Sequence, residues 1–187
     1  IHQIGIRSFG SSRQDDIDAA RNWGAHIHLA RDICTHGIQP VIDSLPDGGQ
    51  FFVNLDVDGL DPSVMPGTIA LAPGGLKWWH IVALFEGLAG KGKIVGLNVV
   101  ELAPENDINQ ISLIGAGRLI LKLLMLQLAK SESSSWKLHF VRERILFNDS
   151  STSYANCWLI CDNGRWRGMI RLIVCCTIGT NGRKTIF

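Results

Sequence analysis

Cysteine is scarce in the first part of this chain. Cys34 stands alone before residue 157, which excludes a disulfide within that part and suits a reducing compartment. A secretory leader is missing too. The opening Ile1-His2-Gln3-Ile4-Gly5-Ile6-Arg7 has no basic region followed by a long apolar one, so a cytoplasmic or mitochondrial location is expected. There is no initiating Met, and the first residues already alternate as a strand does, so the start reads as a cut. Charge is modest, at 19% against 46% hydrophobic residues, which fits a soluble globular protein. The 187 residues suffice for one domain with its own core.

A formal net charge of +1 says little about partners, but it hides an asymmetry. Residues 1–135 carry 10 Lys/Arg against 14 Asp/Glu, and residues 136–187 carry 8 against 3. Cys157, Cys161, Cys175 and Cys176 also fall in the second part. Two compositions in one chain suggest two modules.

The densest chemistry lies in Phe51-Phe52-Val53-Asn54-Leu55-Asp56-Val57-Asp58-Gly59-Leu60-Asp61-Pro62. An apolar run ending in three carboxylates, Gly and Pro reads as a buried strand with a functional end. In an extended chain residues i and i+2 share a face, so Asp56 and Asp58 are expected to project together. Ligands of open α/β sheets bind outside the carboxyl ends of the strands. Two carboxylates this close repel unless a cation lies between them, and a hard divalent ion such as Mn²⁺ or Mg²⁺ is the natural candidate. A calcium loop fails: counted from Asp56, its fifth, sixth and twelfth positions would be Leu60, Asp61 and Gly67. The plainer alternative is that the carboxylates merely cap the turn.

Around this stretch, strands are expected at 2–7, 26–29, 51–55 and 93–100. Helices are expected from Asp15 toward Gly24 and over 30–36, 38–45, 78–88 and 109–130. Gly/Pro-rich loops lie between Pro62 and Lys77. Glu101 follows the 93–100 strand, a second carboxylate at a strand end. Arg118 and Lys122 interrupt the last helix and argue against a membrane span. Alternating strands and helices predict an α/β fold, a three-layer α/β/α arrangement on a mainly parallel sheet. Residues 131–135 read as a Ser-rich linker, and 136–187 as an irregular tail of unpaired thiols without a zinc spacing. Its basic residues with Trp136, Trp158 and Trp166 show no coherent nucleic-acid face. Deleting the tail is expected to leave the stability of the rest nearly unchanged.

Leu55-Asp56-Val57-Asp58-Gly59-Leu60-Asp61-Pro62 with Pro66-Gly67-Thr68 and Pro73-Gly74-Gly75-Leu76 resembles the signature of the ureohydrolases, the arginase and agmatinase enzymes. Residues 3–7 and Val99-Val100-Glu101-Leu102-Ala103-Pro104 resemble the flanking strands of agmatinase-type members. The resemblance covers about residues 1–130 and implies the C-terminal portion of an arginase-like fold. It implies a two-manganese site in which Asp56 bridges both metals, Asp58 binds one, and Asp61 stands behind them holding the loop. The nucleophile would be a metal-bound hydroxide that attacks a guanidinium carbon and releases urea from a small guanidino substrate. Glu101 would pair with that guanidinium, a planar fork a carboxylate accepts bidentately; its plainer reading is a strand-end salt bridge. Family members are often homo-oligomers, and no nucleic-acid or membrane partner is implied.

The departures carry as much weight. The family's Gly-Gly-Asp-His and Asp-Ala-His-x-Asp elements are absent from this sequence, as is an upstream His segment that helps proton transfer. His26, His28, His36 and His80 stand outside such motifs and read as surface or helix histidines. Ile69, Leu71-Ala72-Pro73 and Lys77 depart from common family residues and favour an agmatinase-like subgroup. The chain is therefore expected to bind Mn²⁺ weakly and release little urea. The alternative is a non-catalytic remnant or partner-binding module.

Overall fold

A computed structural model describes residues 1–7 and 13–129, together with the backbone of three strands, His139–Ile145, Tyr154–Ile160 and Met169–Val174. In chain order the elements are β1 (His2–Ile6), α1 (Gln14–Asn22), β2 (His26–Leu29), α2 (Ala30–His36), α3 (Gln39–Asp43), β3 (Gln50–Asp56), α4 (Trp78–Lys91), β4 (Lys93–Val100), α5 (Ile111–Leu128), β5 (His139–Ile145), β6 (Tyr154–Ile160) and β7 (Met169–Val174). The strands form one sheet in the order β2-β1-β7-β3-β4-β6-β5. β2, β1, β7, β3 and β4 are mutually parallel, and β6 and β5 add an antiparallel pair at the β4 side. The expected α/β fold on a mainly parallel, helix-flanked sheet is thus present.

β3 shows why the central stretch is a strand. Phe51, Val53 and Leu55 are wholly buried while Phe52 and Asn54 are partly covered, the period of two that a pleated strand imposes. α4 and α5 instead bury helical stripes. Ile81, Leu84, Phe85 and Leu88 of α4 follow the i, i+3, i+4, i+7 rule. Ser112, Gly115, Ala116, Leu119, Leu123 and Gln127 do so in α5. The Gln127 side chain also accepts the β4 amide of Ile94 at 3.2 Å, pinning α5 to the sheet. α5 is long and apolar enough to cross a membrane by length and composition alone, and here it packs against β4 and α4. α2 stops at Gly37, whose left-handed φ of 84° carries a Cβ-bearing residue poorly.

The segment read as irregular carries β5, β6 and β7, and β7 lies in the interior of the sheet, bonded to β1 on one side and β3 on the other. The expected linker at 131–135 and turn at 8–12 lie outside the described residues, as do the side chains of Cys157, Cys161, Cys175 and Cys176.

Candidate active site

β3 and β4 run parallel in register, with Asp56 opposite Val100, so Glu101 follows directly beside the end of β3. Asp56 and Glu101 are brought to neighbouring positions on the carboxyl edge of the sheet. Asp58 arrives differently from expectation. The strand ends at Asp56, and Val57–Gly59 form one 3-10 turn, so the two-residue period of an extended chain does not extend to Asp58. Both aspartates are nonetheless buried, at 8% and 3% exposure. Carboxylates held this deep are costly unless charge or hydrogen bonds compensate them.

The turn after β3 is fixed by a tight set of contacts. Asp61 accepts hydrogen bonds from the Ser63 amide at 3.1 Å, the Ser63 hydroxyl at 2.5 Å and the Gly74 amide at 3.0 Å. Lys77 Nζ lies 3.0 Å from its carboxylate. Burial pushes the Asp61 carboxyl up, but the bonds from Ser63, Lys77 and Gly74 outweigh it and hold the group well below the usual carboxylate range. Asp61 therefore folds the loop 61–77 back on itself. Backbone bonds from Asp61 N to Leu76 O and from Leu76 N to Gly59 O close the same loop. Gly75 makes this possible, because a Cβ there would meet the Leu60 carbonyl carbon and the Asp61 amide at 2.5 Å. Lys77 is the residue that precedes α4, and its amide donates to His80 Nδ1 at 3.2 Å.

A second set holds the stretch after β4. Asp107 accepts from the amides of Ile108, Ser112 and Leu113 at 2.9, 3.0 and 3.0 Å, covering the start of α5. The Ser112 hydroxyl in turn accepts the Gly67 amide at 2.7 Å, and a Cβ on Gly67 would strike Asp107 at 2.7 Å. Ala103 N bonds to Gly67 O, and Thr68 pairs with Leu102. The Pro66-Gly67-Thr68 loop is thereby clamped against the residues just past Glu101. Glu101 itself adopts φ +64°, a left-handed backbone that few non-glycine residues take and that concentrates at functional positions.

Sequence reasoning read Arg7 only as the end of a strand. In the structure its Nη2 donates to the Asp58 carbonyl at 2.5 Å and its Nε to the Ala72 carbonyl at 3.0 Å. A cation is thus anchored beside the turn that carries Asp58. His26 and His28 lie on β2, away from this edge, with His36 at the end of α2 and His80 in α4. None of the four joins the carboxylates: among the described residues no group of three or more His, Cys, Asp or Glu side chains converges as a metal site.

Asp56 and Asp58 were expected as the carboxylate part of a two-manganese site that is incomplete in this chain, and by themselves they do not fit two metal ions. Manganese seeks octahedral coordination by oxygen and imidazole, and two carboxylates cannot complete two such spheres.

Comparison with known proteins agrees with this geometry. The arginase family model matches residues 1–126. The N(1)-aminopropylagmatine ureohydrolase of Thermus thermophilus is 33% identical over 107 residues, 56% of this chain and 35% of that protein. Among solved structures, formimidoylglutamase from Bacillus subtilis superposes with a TM-score of 0.60 at 27% identity, covering 71% of this chain and 42% of the other. Proclavaminate amidino hydrolase from Streptomyces clavuligerus gives 0.60 at 30% identity, covering 67% and 42%. The chain thus spans between 35% and 42% of the length of these relatives. With the family match over 126 residues and the aspartate-bearing strand end in place, the chain belongs to the arginase family of ureohydrolases.

Proposed function

We propose that this chain derives from an enzyme that hydrolyses a small, agmatine-like guanidino compound to urea and an amine. In that reading Asp56 and Asp58 are the carboxylate half of a two-manganese centre, and Glu101 receives the substrate guanidinium. The observation that carries it is the placement of Asp56 and Glu101 at adjacent parallel strand ends, on loops that Asp61 and Asp107 hold rigid. Rigid loops keep such groups in a productive geometry, and a carboxylate at that spot offers two acceptors to a planar fork of N–H donors.

The incomplete donor set supports a second reading alongside, a non-catalytic member that keeps the substrate-facing half. The two readings separate in solution. Urea release from agmatine, guanidinobutyrate and arginine, with Mn²⁺ added, is expected to be near background for this 187-residue chain. Substantial turnover, lost in Asp56→Asn, would sink the incomplete-site reading. Weak agmatine binding, followed by NMR line broadening, is expected to disappear in Glu101→Gln. Equal binding of an alkylamine without the guanidinium would remove Glu101 from the substrate role.

A further inference from the structure

The four strands inside the family-matched residues do not form one sheet by themselves. β1 pairs with β2, and β3 pairs with β4, but β1 and β3 are one strand position apart and never bond to each other. The position between them is filled from outside the match, by β7. Its backbone aligns residue by residue with both neighbours: Leu172 stands opposite His2 and Val53, Ile173 opposite Gln3 and Asn54, Val174 opposite Ile4 and Leu55. We propose that the gap between β1 and β3 is a strand-acceptor site and that Met169–Val174 is its occupant.

Three observations support the assignment. Interior parallel strands, covered on both faces, read as near-continuous apolar runs. Met169-Ile170-Arg171-Leu172-Ile173-Val174 is such a run, broken only by Arg171. The direction is parallel to both neighbours, the only direction that continues the parallel order on each side. The connection is also long enough. β6 lies beyond β4, so the chain must pass about three strand spacings, ~14 Å, to enter the gap. Residues 161–168 can span ~26 Å when extended.

The site selects its occupant by chemistry: an extended, apolar, β-branched segment whose backbone bonds on both edges at once. Without it the sheet splits into a two-stranded β1–β2 ribbon, a form that is marginal alone, and a separate β3-β4-β6-β5 sheet. The inference does not depend on whether the chain turns over a guanidino compound.

Hydrogen–deuterium exchange on the full chain tests it. In the unmodified protein the amides of Met169–Val174 are expected to exchange as slowly as those of Gln50–Asp56. Exchange at the rate of an unstructured peptide would overturn the proposal outright. Leu172→Pro removes one donor and inserts a ring where both neighbours need backbone. It is expected to speed exchange at least tenfold in both His2–Ile6 and Gln50–Asp56, while Ser133→Pro leaves both slow. Unchanged protection of β1 and β3 in Leu172→Pro would equally refute the assignment. Should Leu172→Pro unfold the whole chain while the unmodified strand is protected, the occupant is shown to be required.

Discussion

The two ends of the parallel sheet are built from opposite chemistry. At the carboxyl edge, Asp56, Asp58, Asp61 and Glu101 gather where β3 and β4 finish. At the amino edge, where β1 and β2 begin, three imidazoles crowd together. The His2 ring lies 4.6 Å from that of His26 and 5.4 Å from that of His28, with His2 Nδ1 3.1 Å from His28 Nε2. Asp61 is anchored by donors aimed at it, so its charged form is the stable one. Burial, with the neighbouring His26 ring, favours the neutral form of His2 and His28. Asp61 at one edge is held charged, and His2 and His28 at the other are held neutral.

The largest way to break this contrast is to remove the anchor at the acidic edge. Asp61→Ala leaves the Gly74 and Ser63 amides and the Lys77 ammonium without their shared acceptor, in a site where the Asp61 side chain is only 13% exposed. The expected cost is ~2–4 kcal/mol of unfolding free energy in urea titration. Faster amide exchange is expected across residues 61–77, with the His2–Ile6 strand unchanged. Equal loosening of both edges would mean that the loop is not an independent unit.

A smaller effect separates the edges along the pH axis. Burial, with the nearby His26, His28 and chain-terminal amine, lowers the His2 pKa from 6.5 to about 4, and burial with His26 lowers His28. Between pH 6.5 and about 4 the unfolded chain therefore binds more protons than the folded one, and stability must fall as pH falls through that window. The Asp61 pKa is also lowered, but from 3.8, so its contribution is complete above that value and is lost only below it. Urea titrations from pH 7 to pH 4.5 are expected to show a loss of ~1–2 kcal/mol, discounted for the partial solvation of the rings. The loss should shrink in His2→Gln, leaving the part that His28 contributes. An unchanged slope in His2→Gln would show that the histidine cluster is not its source.

Much of the architecture was legible in the residues because it is set locally. β2, α2 and β4 have the bounds that periodicity and the flanking glycines predict. What could not be read is set by distance. The bonds of Asp61 to Gly74, of Ser112 to Gly67 and of Arg7 to Asp58 join residues 13, 45 and 51 positions apart. Nothing in the local pattern of Asp107 or Arg7 marks them as loop anchors. Asp58 was assigned to an extended chain because the acidic run follows the strand without a break, yet Val57–Gly59 already turn. β7 escaped notice for the opposite reason. Met-Ile-Arg-Leu-Ile-Val has no alternation to detect and is as consistent with a buried helix segment as with a strand. The signal that remained was its β-branched, apolar content directly after Gly168.

Glu101 is where the contrast between the two edges can be sharpened most finely. Its left-handed φ of +64° costs energy that glycine would not incur and that a β-branched residue would incur more heavily. Two roles for the residue then predict opposite results. If Glu101 is held in this conformation to present its carboxylate to a ligand, Glu101→Gly relieves the strain and the folded state gains ~0.5–1 kcal/mol, while Glu101→Val loses ~1–2 kcal/mol. If Glu101 instead serves the fold through a strand-end ion pair, both substitutions destabilise, because both delete the carboxylate. Chemical denaturation of the two variants at pH 7 distinguishes the cases without any substrate or metal. Stabilisation by glycine together with loss of agmatine binding is the result expected of a residue kept for its chemistry, and destabilisation by glycine would return Glu101 to a structural role.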